Sequence, residues 1–430
     1  IPGLPSDSGP LVRLNGSDSQ SLDDMIEHLR QGGLSLAHAF ARVLPRAWEH
    51  DPALSARERA FEAYQSTTCE PWEGPAAIAF ADGRQVGAVL DRNGFRPARV
   101  LTSTDGLVCV GSESGIFDIP GPSVERRGRL GPGEMLVVDL ESGRLIDNTG
   151  LRRSLAAEHP YREWVQLTIA DVSEDTETFT EDTETEGSLL YQRLFGYTSE
   201  EIELIVRPMI EDGKEAIGSM GDDTPLAVLS SRRRLLPDFF RQRFAQVTNP
   251  PIDSLREQSV MSLRTVFGRR GRLLDETALD ARMVMCESPI LTLGQLEALH
   301  AQPERPALTL SMTYDVSGPP TAPISAFAFR SALDQLARDA VDAVRAGVVI
   351  LVLSDRGVDR DRAPLPALLA TSVVAQALDR EGLGTRAGLA IDTGEVRDAH
   401  QAAALLTFGA SAVCPWLAYT TAQRVAAKAG

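Results

Sequence analysis

Few parts of the sequence combine residue types and spacings that could carry out catalysis or bind a metal. The six histidines lie at positions 28, 38, 50, 159, 300 and 400. No two have metal-ligand spacing with a carboxylate, so we expect no metal site. Neither a GxSxG nucleophile elbow nor a Walker phosphate loop occurs. Cys69, Cys109 and Cys286 lack a basic neighbour that would activate a thiolate, and no CxxC pair is present, which predicts free, structural cysteines.

Two polar stretches remain as candidate ligand sites. The Gly-rich GSMGDD at 218–223 lacks the lysine and the strand–loop–helix spacing of a phosphate cradle, so a structural turn is favoured over phosphate binding. Ser354, Asp355 and Arg356 follow the apolar run Val348–Leu353, at the end of a predicted parallel strand, where open α/β sheets place their ligands. A solvated loop start is an equally good interpretation of these three residues.

The stretch RQRFAQVTNPPIDSLRE, residues 241–257, predicts a rigid turn that is not helical. Pro250 and Pro251 fix two consecutive φ angles and remove two backbone donors, and Asn249 before them is pushed out of the helical region. The polar residues that bracket the prolines are Gln246, Thr248, Asn249 and Asp253.

Composition limits the classes of function. A chain of 430 residues can form two or three domains, and 43% hydrophobic with 24% charged residues is typical of a soluble globular protein. A net charge of −17 argues against nucleic acid as a partner. The apolar runs are too short to cross a membrane, and no signal peptide opens the chain. We therefore expect a cytoplasmic protein that does not bind membranes.

The first part of the chain has the pattern of an antiparallel, sheet-rich domain. Leu22, Met25, Ile26 and Leu29 form the apolar face of a helix that Ser21 or a nearby residue could cap and that Gly32-Gly33 ends. Asp82-Gly83, Asn93-Gly94 and Asp105-Gly106 then separate apolar runs, which is the strongest short signal for hairpins. MLVVDL-ESG-RLID at 135–147 predicts a further hairpin.

The later part has a different pattern, with helices and apolar strands alternating. Thr198 with Glu201 forms a capping box, and Gly213 ends the helix that follows. Apolar strands that alternate with helices predict an α/β domain with a mostly parallel sheet covered on both faces. Between the two parts, residues 163–192 contain nine acids and no Lys or Arg, including the near-repeat EDTETFT-EDTETEG. We interpret this segment as an acidic linker or surface loop.

Taken together, the longer motifs resemble the large subunit of glutamate synthase. The stretches that carry the resemblance are GSDSQSLDD, EPWEGPAAIAFADGRQVGAVLDRNGFRPARV, GRLGPGEMLVVD, FGYTSEEIE, GKEAIGSMGDDTPLAVLS, FAQVTNPPIDSLRE, ILVLSDR and FGASAVCPWLA. The resemblance implies that 1–160 is the C-terminal part of a class-II glutamine amidotransferase domain, of the Ntn-hydrolase type. It further implies that 161–187 is a linker and 188–430 the central domain. The family usually has Asn-Pro-Tyr where this chain has Cys414-Pro415-Trp416.

The resemblance also implies that the chain is an internal piece of a longer polypeptide. In the family an N-terminal cysteine cleaves glutamine with its own α-amino group as base, whereas this chain opens with Ile1. We therefore assign no catalytic residue here and expect the isolated chain to be inactive as a glutaminase. The alternative is a non-catalytic scaffold that binds an amidotransferase or flavin partner.

The family's activity is the transfer of the glutamine amide nitrogen to 2-oxoglutarate and reduction of the adduct to glutamate, with ammonia passing between the two sites. Asp18 in GSDS matches the carboxylate that binds the α-ammonium of glutamine, although such a residue is more often a turn or a helix cap. The resemblance implies FMN and an iron–sulfur cluster in the parent enzyme, with no cofactor in this segment. It implies as partners the flavin domain of the same polypeptide and a small electron-transfer subunit or ferredoxin.

The central domain lies between the two reaction sites of the family, which suggests a role for its rigid polar turns. We interpret the turns in QVTNPPID and SMGDDTP as walls of the ammonia path or as interface elements. A domain-packing loop without contact to ammonia is an equally good interpretation. The residues concerned are Gln246, Thr248, Asn249, Pro250, Pro251, Asp253, Ser219, Asp222 and Asp223.

Overall fold

The structure is a computed structural model that describes residues 12–13, 15–172, 185–216, 220–221, 227–231, 234–242, 252–278, 281–316 and 326–429. Its contacts divide the chain into two compact units. Unit 1 comprises residues 1–168, 246–262 and 271–281, and unit 2 comprises 169–245, 263–270 and 282–430. Two short segments from the second half of the sequence therefore belong to the unit built by the first half. The domain boundaries inferred from the resemblance stay a prediction.

Unit 1 combines helices with two antiparallel sheets. In chain order its elements up to residue 168 are α1 (Asp18–Gln31), α2 (Leu36–Val43), α3 (Ala56–Gln65), β1 (Ala77–Ala81), β2 (Gln85–Leu90), β3 (Arg99–Ser103), β4 (Val108–Gly111), β5 (Val124–Arg129), β6 (Met135–Asp139), β7 (Arg144–Ile146), α4 (Asn148–Leu155) and α5 (Tyr161–Thr168). One sheet has the strand order β1-β2-β6-β7 and the other β4-β3-β5.

The local signals in this part of the sequence work largely as predicted. Ser17, rather than Ser21, caps α1 through a capping box with Gln20, and Gly33 follows the helix with φ of 102°. The turns at Asp82-Gly83 and Asp105-Gly106 do connect the hairpins β1–β2 and β3–β4, and the β6–β7 hairpin also forms.

The hairpin predicted at Asn93-Gly94 is wrong. Strand β2 pairs with β1 on one edge and with β6 on the other, so no edge is free for β3. Instead the Asp91 carboxylate accepts hydrogen bonds from the backbone N–H groups of Ala76 and Asn93 and stabilises a loop that leads to the second sheet. A turn does form at Asn93-Gly94, but because β2 pairs with β6, which is distant in sequence, the turn does not close a hairpin.

Unit 2 is built around a parallel sheet. Its elements, together with α9 of unit 1, are β8 (Ile169–Asp171), α6 (Thr185–Leu194), α7 (Ser199–Glu201), α8 (Arg207–Asp212), α9 (Ser254–Val260), β9 (Thr265–Arg269), β10 (Arg282–Cys286), α10 (Leu293–His300), β11 (Ala307–Ser311), β12 (Thr313–Asp315), α11 (Ala326–Arg345), β13 (Ile350–Ser354), β14 (Arg362–Pro364), α12 (Ala367–Arg380), β15 (Gly388–Asp392), α13 (Ala399–Thr407), β16 (Ala412–Cys414) and α14 (Trp416–Ala429). A π-helical stretch, Ile202–Val206, joins α7 to α8.

Alternate residues of the central strands face opposite cores. The four parallel strands have the order β11-β13-β15-β16. Leu351 and Leu353 pack in one core with residues of α11, α12 and α13, whereas Ile350 and Val352 pack in the other with residues of α10 and α14. Because side chains alternate along a strand, both faces of this sheet are covered. The α/β character predicted for the later part is confirmed, as is the sheet-rich character of the first.

The structure also bears on the cysteines and on the expectation that no helix crosses a membrane. The four cysteines are free, as predicted. Burial raises the pKa of the Cys286 thiol to about 12, with further contributions from Asp171 and Glu287, so this thiol is unreactive at neutral pH. Among the described residues, no helix is both long and apolar enough to cross a membrane.

Candidate functional site

Asp18 is the first residue of α1 and is exposed to solvent. The capping bond of this helix is made by Ser17, whose hydroxyl accepts the N–H of Gln20 at 3.3 Å. The Asp18 carboxylate therefore is not the helix cap, and it has no hydrogen-bond partner among the residues the structure describes. A free, accessible carboxylate is the arrangement that binding of a substrate ammonium requires. The role of Asp18 in glutamine binding stays a prediction.

Most of the residues proposed for an ammonia path cannot be placed. Eight lie outside the described residues, namely Ser219, Asp222, Asp223, Gln246, Thr248, Asn249, Pro250 and Pro251. Asp253 is described, and it is the N-cap of α9, where its Oδ1 accepts the N–H groups of Leu255 and Arg256. This carboxylate thus begins the helix that follows the two prolines.

The carboxyl ends of the parallel strands in unit 2 carry a buried polar cluster. Asp355, directly after β13, is fully buried. Its carboxylate accepts hydrogen bonds from the Thr393 hydroxyl at 2.6 Å, the Trp416 indole N–H at 2.8 Å and the Gly394 N–H at 3.1 Å. Burial raises the pKa of the Asp355 carboxyl to about 7, although the bonds from Thr393 and Trp416 act in the opposite direction. The cluster joins the segments that follow the neighbouring strands β13, β15 and β16 at the carboxyl end of the sheet.

A second carboxylate, Asp392 at the end of β15, holds an arginine beside it. Arg356 donates to both oxygens of Asp392, from Nε at 2.7 Å and from Nη2 at 3.0 Å, and the Ser354 hydroxyl donates to Oδ2 at 2.7 Å. The guanidinium also lies 5.3 Å from the ring centre of Trp416. The side chain of Arg356 is 45% exposed, whereas that of Asp392 is buried. The arrangement therefore presents a fixed guanidinium at the sheet edge.

The structure decides part of the question that the sequence left open for these residues. Ser354 and Asp355 are buried, so the interpretation as a solvated loop start is wrong for them. Only Arg356 is accessible to a ligand. A binding role for this sheet edge stays a prediction that now rests on Arg356.

Trp416 gives a direct test of the buried cluster. Replacement by phenylalanine keeps an aromatic ring but removes the indole N–H, leaving the Asp355 carboxylate one donor short. We expect the free energy of unfolding to fall by about 1–3 kcal/mol, since a buried acceptor loses its partner. Urea unfolding of single and double variants with Asp355→Asn measures the coupling. An equal cost of Trp416→Phe with and without Asp355→Asn would show that the bond contributes nothing.

Unit 1 contains a larger buried charge cluster around Glu276. Gln65 Nε2 donates to Glu276 Oε1 at 2.8 Å, the Tyr161 hydroxyl donates to Oε2 at 2.7 Å, and Arg42 Nη2 lies 2.5 Å from Oε1. His38 Nε2 lies 3.1 Å from the same oxygen. Glu276 belongs to the segment 271–281, which sits in unit 1 although unit 2 contains the strands on either side of it. The carboxylate thus anchors this segment to helices α2, α3 and α5.

The surroundings of His38 favour an imidazolium over a metal ligand. Its two ring nitrogens face two carboxylates, with Nδ1 2.8 Å from Glu158 and Nε2 3.1 Å from Glu276. Burial lowers the pKa of His38, but the hydrogen bonds with Glu158 and Glu276 outweigh it, so the net shift is upward. These three side chains could in principle surround a cation. Arg42 already supplies a positive charge to Glu276, however, so an ion-pair network satisfies the carboxylates.

Sequence spacing could not reveal this cluster. His38 and Glu158 are 120 residues apart, and Gln65 and Glu276 are 211 apart. Metal-ligand spacing is a local pattern, whereas tertiary packing brings these distant groups together. By contrast, Asp392 is the last residue of the buried strand β15 and lies in register with Ser354 at the end of β13, so its position gives the same sequence signal as that of Ser354.

Comparison with known proteins identifies two families along the chain. Residues 5–164 match "Glutamine amidotransferases class-II", and residues 190–429 match "Glutamate synthase central domain". The second match covers more than half of the chain. Both families follow one another in the order that the sequence motifs indicated.

Curated relatives match almost the whole chain. The chain is 38% identical to "Glutamate synthase [NADPH] large chain" of Bacillus subtilis (strain 168) over 96% of its own length and 26% of that protein. It is 41% identical to "Ferredoxin-dependent glutamate synthase 2" of Synechocystis sp. over 96% of its length and 27% of that protein. "Glutamate synthase [NADH]" of Schizosaccharomyces pombe is 37% identical over 95% of the chain and 20% of that protein.

The chain spans about a quarter of the length of the first two of these relatives. Within the chain, the two family matches cover the amidotransferase region and the parallel sheet, and residues 165–189 lie between them. The chain belongs to the glutamate synthase central domain family.

Proposed function

We propose that this chain is part of a glutamate synthase, which transfers the amide nitrogen of L-glutamine to 2-oxoglutarate and reduces the adduct to L-glutamate. The observation that carries the proposal is the succession of a class-II amidotransferase region and a glutamate synthase central domain in one chain. The relatives that match over at least 95% of the chain are themselves named glutamate synthases.

Within this activity the chain contributes binding and positioning. The accessible carboxylate of Asp18 pairs with the α-ammonium of glutamine, because an ammonium offers three charged donors and needs a charged acceptor. The central domain lies between the site that releases ammonia and the site that consumes it. We propose that residues 246–251, which precede Asp253, and the GSMGDD stretch form part of the wall or interface along that route.

The rest of the enzyme supplies the redox chemistry. We infer FMN and an iron–sulfur cluster as cofactors of the whole enzyme, with neither bound by this segment. The flavin domain of the same polypeptide is the inferred partner of the central domain. Relatives named for NADPH, NADH and ferredoxin are all similar to this chain, so any of the three could supply electrons.

The proposal is tested with the full-length product of the gene that encodes this sequence. Glutamine and 2-oxoglutarate are supplied with NADPH, NADH or reduced ferredoxin in separate reactions, and glutamate is measured. We expect glutamate to form with one of the donors and to depend on both substrates. The proposal fails if none of the three donors supports glutamate formation by a folded protein.

The two prolines provide a prediction about coupling. In the full-length enzyme, Pro250→Ala with Pro251→Ala should lower stability by about 0.4–1 kcal/mol per site, because the unfolded chain gains freedom. If the turn lines the ammonia route, ammonia should also escape. The ratio of glutamine consumed to 2-oxoglutarate consumed would then rise above the value of the unsubstituted enzyme. An unchanged ratio in a folded double variant would leave the turn as a packing loop.

A further inference from the structure

Unit 1 contains a cleft that the proposed function does not use. It lies beside strand β5, the β6–β7 hairpin and the first turn of α4, and its volume is about 470 Å³. Small-molecule sites in proteins commonly have volumes of about 300–1,000 Å³. The lining residues that matter here are Thr102, Arg126, Gly128, Arg129, Arg144 and Thr149. We call this the β5 cleft.

The arginines of the β5 cleft are not paired. Strand β5 reads VERRGR, an excess of positive charge in a chain whose net charge is −17. In the part of the chain that the structure describes, the guanidinium groups of Arg126, Arg129 and Arg144 have no hydrogen-bond or ion-pair partner. Arg144 lies opposite Asp139 in the hairpin, and its charge acts on that carboxylate, but the Asp139 carboxylate accepts the N–H of Ser142 and forms no ion pair with Arg144.

The acids of the cleft are already engaged with the backbone. Glu134 accepts the N–H of Gly131 at 2.7 Å, and Asp147 accepts the N–H of Gly150 at 2.8 Å as the N-cap of α4. Neither carboxylate therefore neutralises the arginines by direct contact. The cationic side chains of Arg126 and Arg144 border a space whose two carboxylates are committed elsewhere, which leaves the cleft attractive to an anion.

Gly128 leaves open space in the β5 cleft where another residue would place a side chain. Glycine weakens a strand interior and usually marks a bulge, a bend or the close approach of a ligand or another backbone. Gly128 pairs regularly with Val100, and the irregularity of this strand pair lies elsewhere, at Thr102 and Ser103. A Cβ built on Gly128 would meet no atom within 4 Å. The absent side chain leaves this face of β5 open, so a ligand has room to approach the strand there.

We propose that the β5 cleft binds a small oxyanion that carries at least two negative charges. The planar guanidinium binds phosphate and carboxylate oxygens in pairs, so both groups are suitable ligands for Arg126 and Arg144. Because Gly128 has no side chain, the backbone of β5 forms the floor of the cleft, and the ligand lies on it. This site is separate from Asp18 and from the Glu276 cluster, and it does not depend on the proposed activity.

The test measures binding by titration calorimetry at low ionic strength, with the full-length protein that contains this sequence. Pyrophosphate and citrate serve as separate probes, which distinguishes phosphate from carboxylate ligands. We expect saturable binding of at least one probe. Arg126→Gln and Arg144→Gln should each weaken it by about 10- to 100-fold, because each removes a charge-assisted hydrogen-bond donor.

Arg127→Gln is the matched control. It removes the same charge from the neighbouring position of β5, but the alternation of side chains puts residue 127 on the opposite face of the strand from 126. It should change the affinity by less than about threefold. Gly128→Val, whose Cβ has open space, should fill the cleft and abolish binding in a folded protein. Absence of saturable binding to both probes, or equal weakening by Arg127→Gln, would overturn the proposal.

Discussion

Replacing Glu276 with glutamine is expected to lower the free energy of unfolding of unit 1 by about 3–5 kcal/mol, because it leaves buried cations without their counter-charge. Arg42 and His38 are almost completely buried, and each faces the Glu276 carboxylate. A glutamine side chain can accept from only one of its two terminal atoms. It also turns an amide N–H₂ toward groups that are themselves donors.

Urea unfolding followed by tryptophan fluorescence measures this effect. Three of the four tryptophans lie in unit 1, and Trp164 stacks on His159, which lies 3.3 Å from Glu276. Asp275→Asn is the control, since its ion pair with Arg272 is exposed and should contribute less than about 1 kcal/mol. Equal small effects for both substitutions would show that the Glu276 network does not anchor segment 271–281.

The same network should give the stability a particular pH dependence. Although burial alone would raise it, the pKa of Glu276 is lowered to about 2 by hydrogen bonding to His38 and by the charges of His38 and Arg42. Its contribution is therefore present above the unfolded value of 4.5 and is lost as pH falls toward 2. His38 has a raised pKa, so its contribution is present below 6.5 and is lost as pH rises through the raised value. Acid unfolding of the variant Glu276→Gln should show a weaker loss of stability on the acid side than the unsubstituted protein, because the contribution of Glu276 is absent.

Asp18→Asn in the full-length enzyme is expected to raise the glutamine KM by about 10- to 100-fold. The substitution removes a charge-assisted contact worth roughly 1.5–3 kcal/mol while leaving the capping bond of Ser17 intact. Steady-state kinetics with glutamine measures this effect. Activity with supplied ammonia should change little, because ammonia does not need the carboxylate.

Asp23→Asn is the matched control for Asp18. Asp23 is an exposed acid on the same helix, and its replacement makes the same change of charge. We expect its glutamine KM to remain close to that of the unsubstituted enzyme. An unchanged KM for Asp18→Asn, or an equal rise for both variants, would contradict the role of Asp18 in binding the ammonium of glutamine.

Local sequence signals predicted the elements well and the sites poorly. The capping box of Thr198 with Glu201, the helix end at Gly213 and the parallel strands of unit 2 all form as expected, because each depends on neighbouring residues. The turn at Asn93-Gly94 forms as well, but it joins two sheets instead of a hairpin. Strand pairing depends on which strand edges are already occupied by strands from distant parts of the chain.

The candidate sites depend on tertiary contacts in the same way. Asp355 and Arg356 were found from their position after a buried strand, which is a local feature of parallel sheets. Their partners Thr393 and Trp416 come from two later segments of the chain. The sequence therefore could not show that Asp355 is buried or that the side chain of Arg356 has a fixed position. Glu276 gave no local signal at all, because its importance comes from donors on three helices.

The most direct test of the account follows the glutamine amide nitrogen. The full-length enzyme is given glutamine labelled with ¹⁵N in the amide, 2-oxoglutarate, a reductant and an excess of unlabelled ammonium. If the chain is part of a glutamate synthase that passes ammonia internally, the glutamate made from 2-oxoglutarate carries ¹⁵N in its amino group. Because the glutamine skeleton itself becomes an unlabelled glutamate, the 2-oxoglutarate is labelled with ¹³C to tell the two products apart. Formation of ¹³C-glutamate without ¹⁵N, or of no ¹³C-glutamate, would contradict that account.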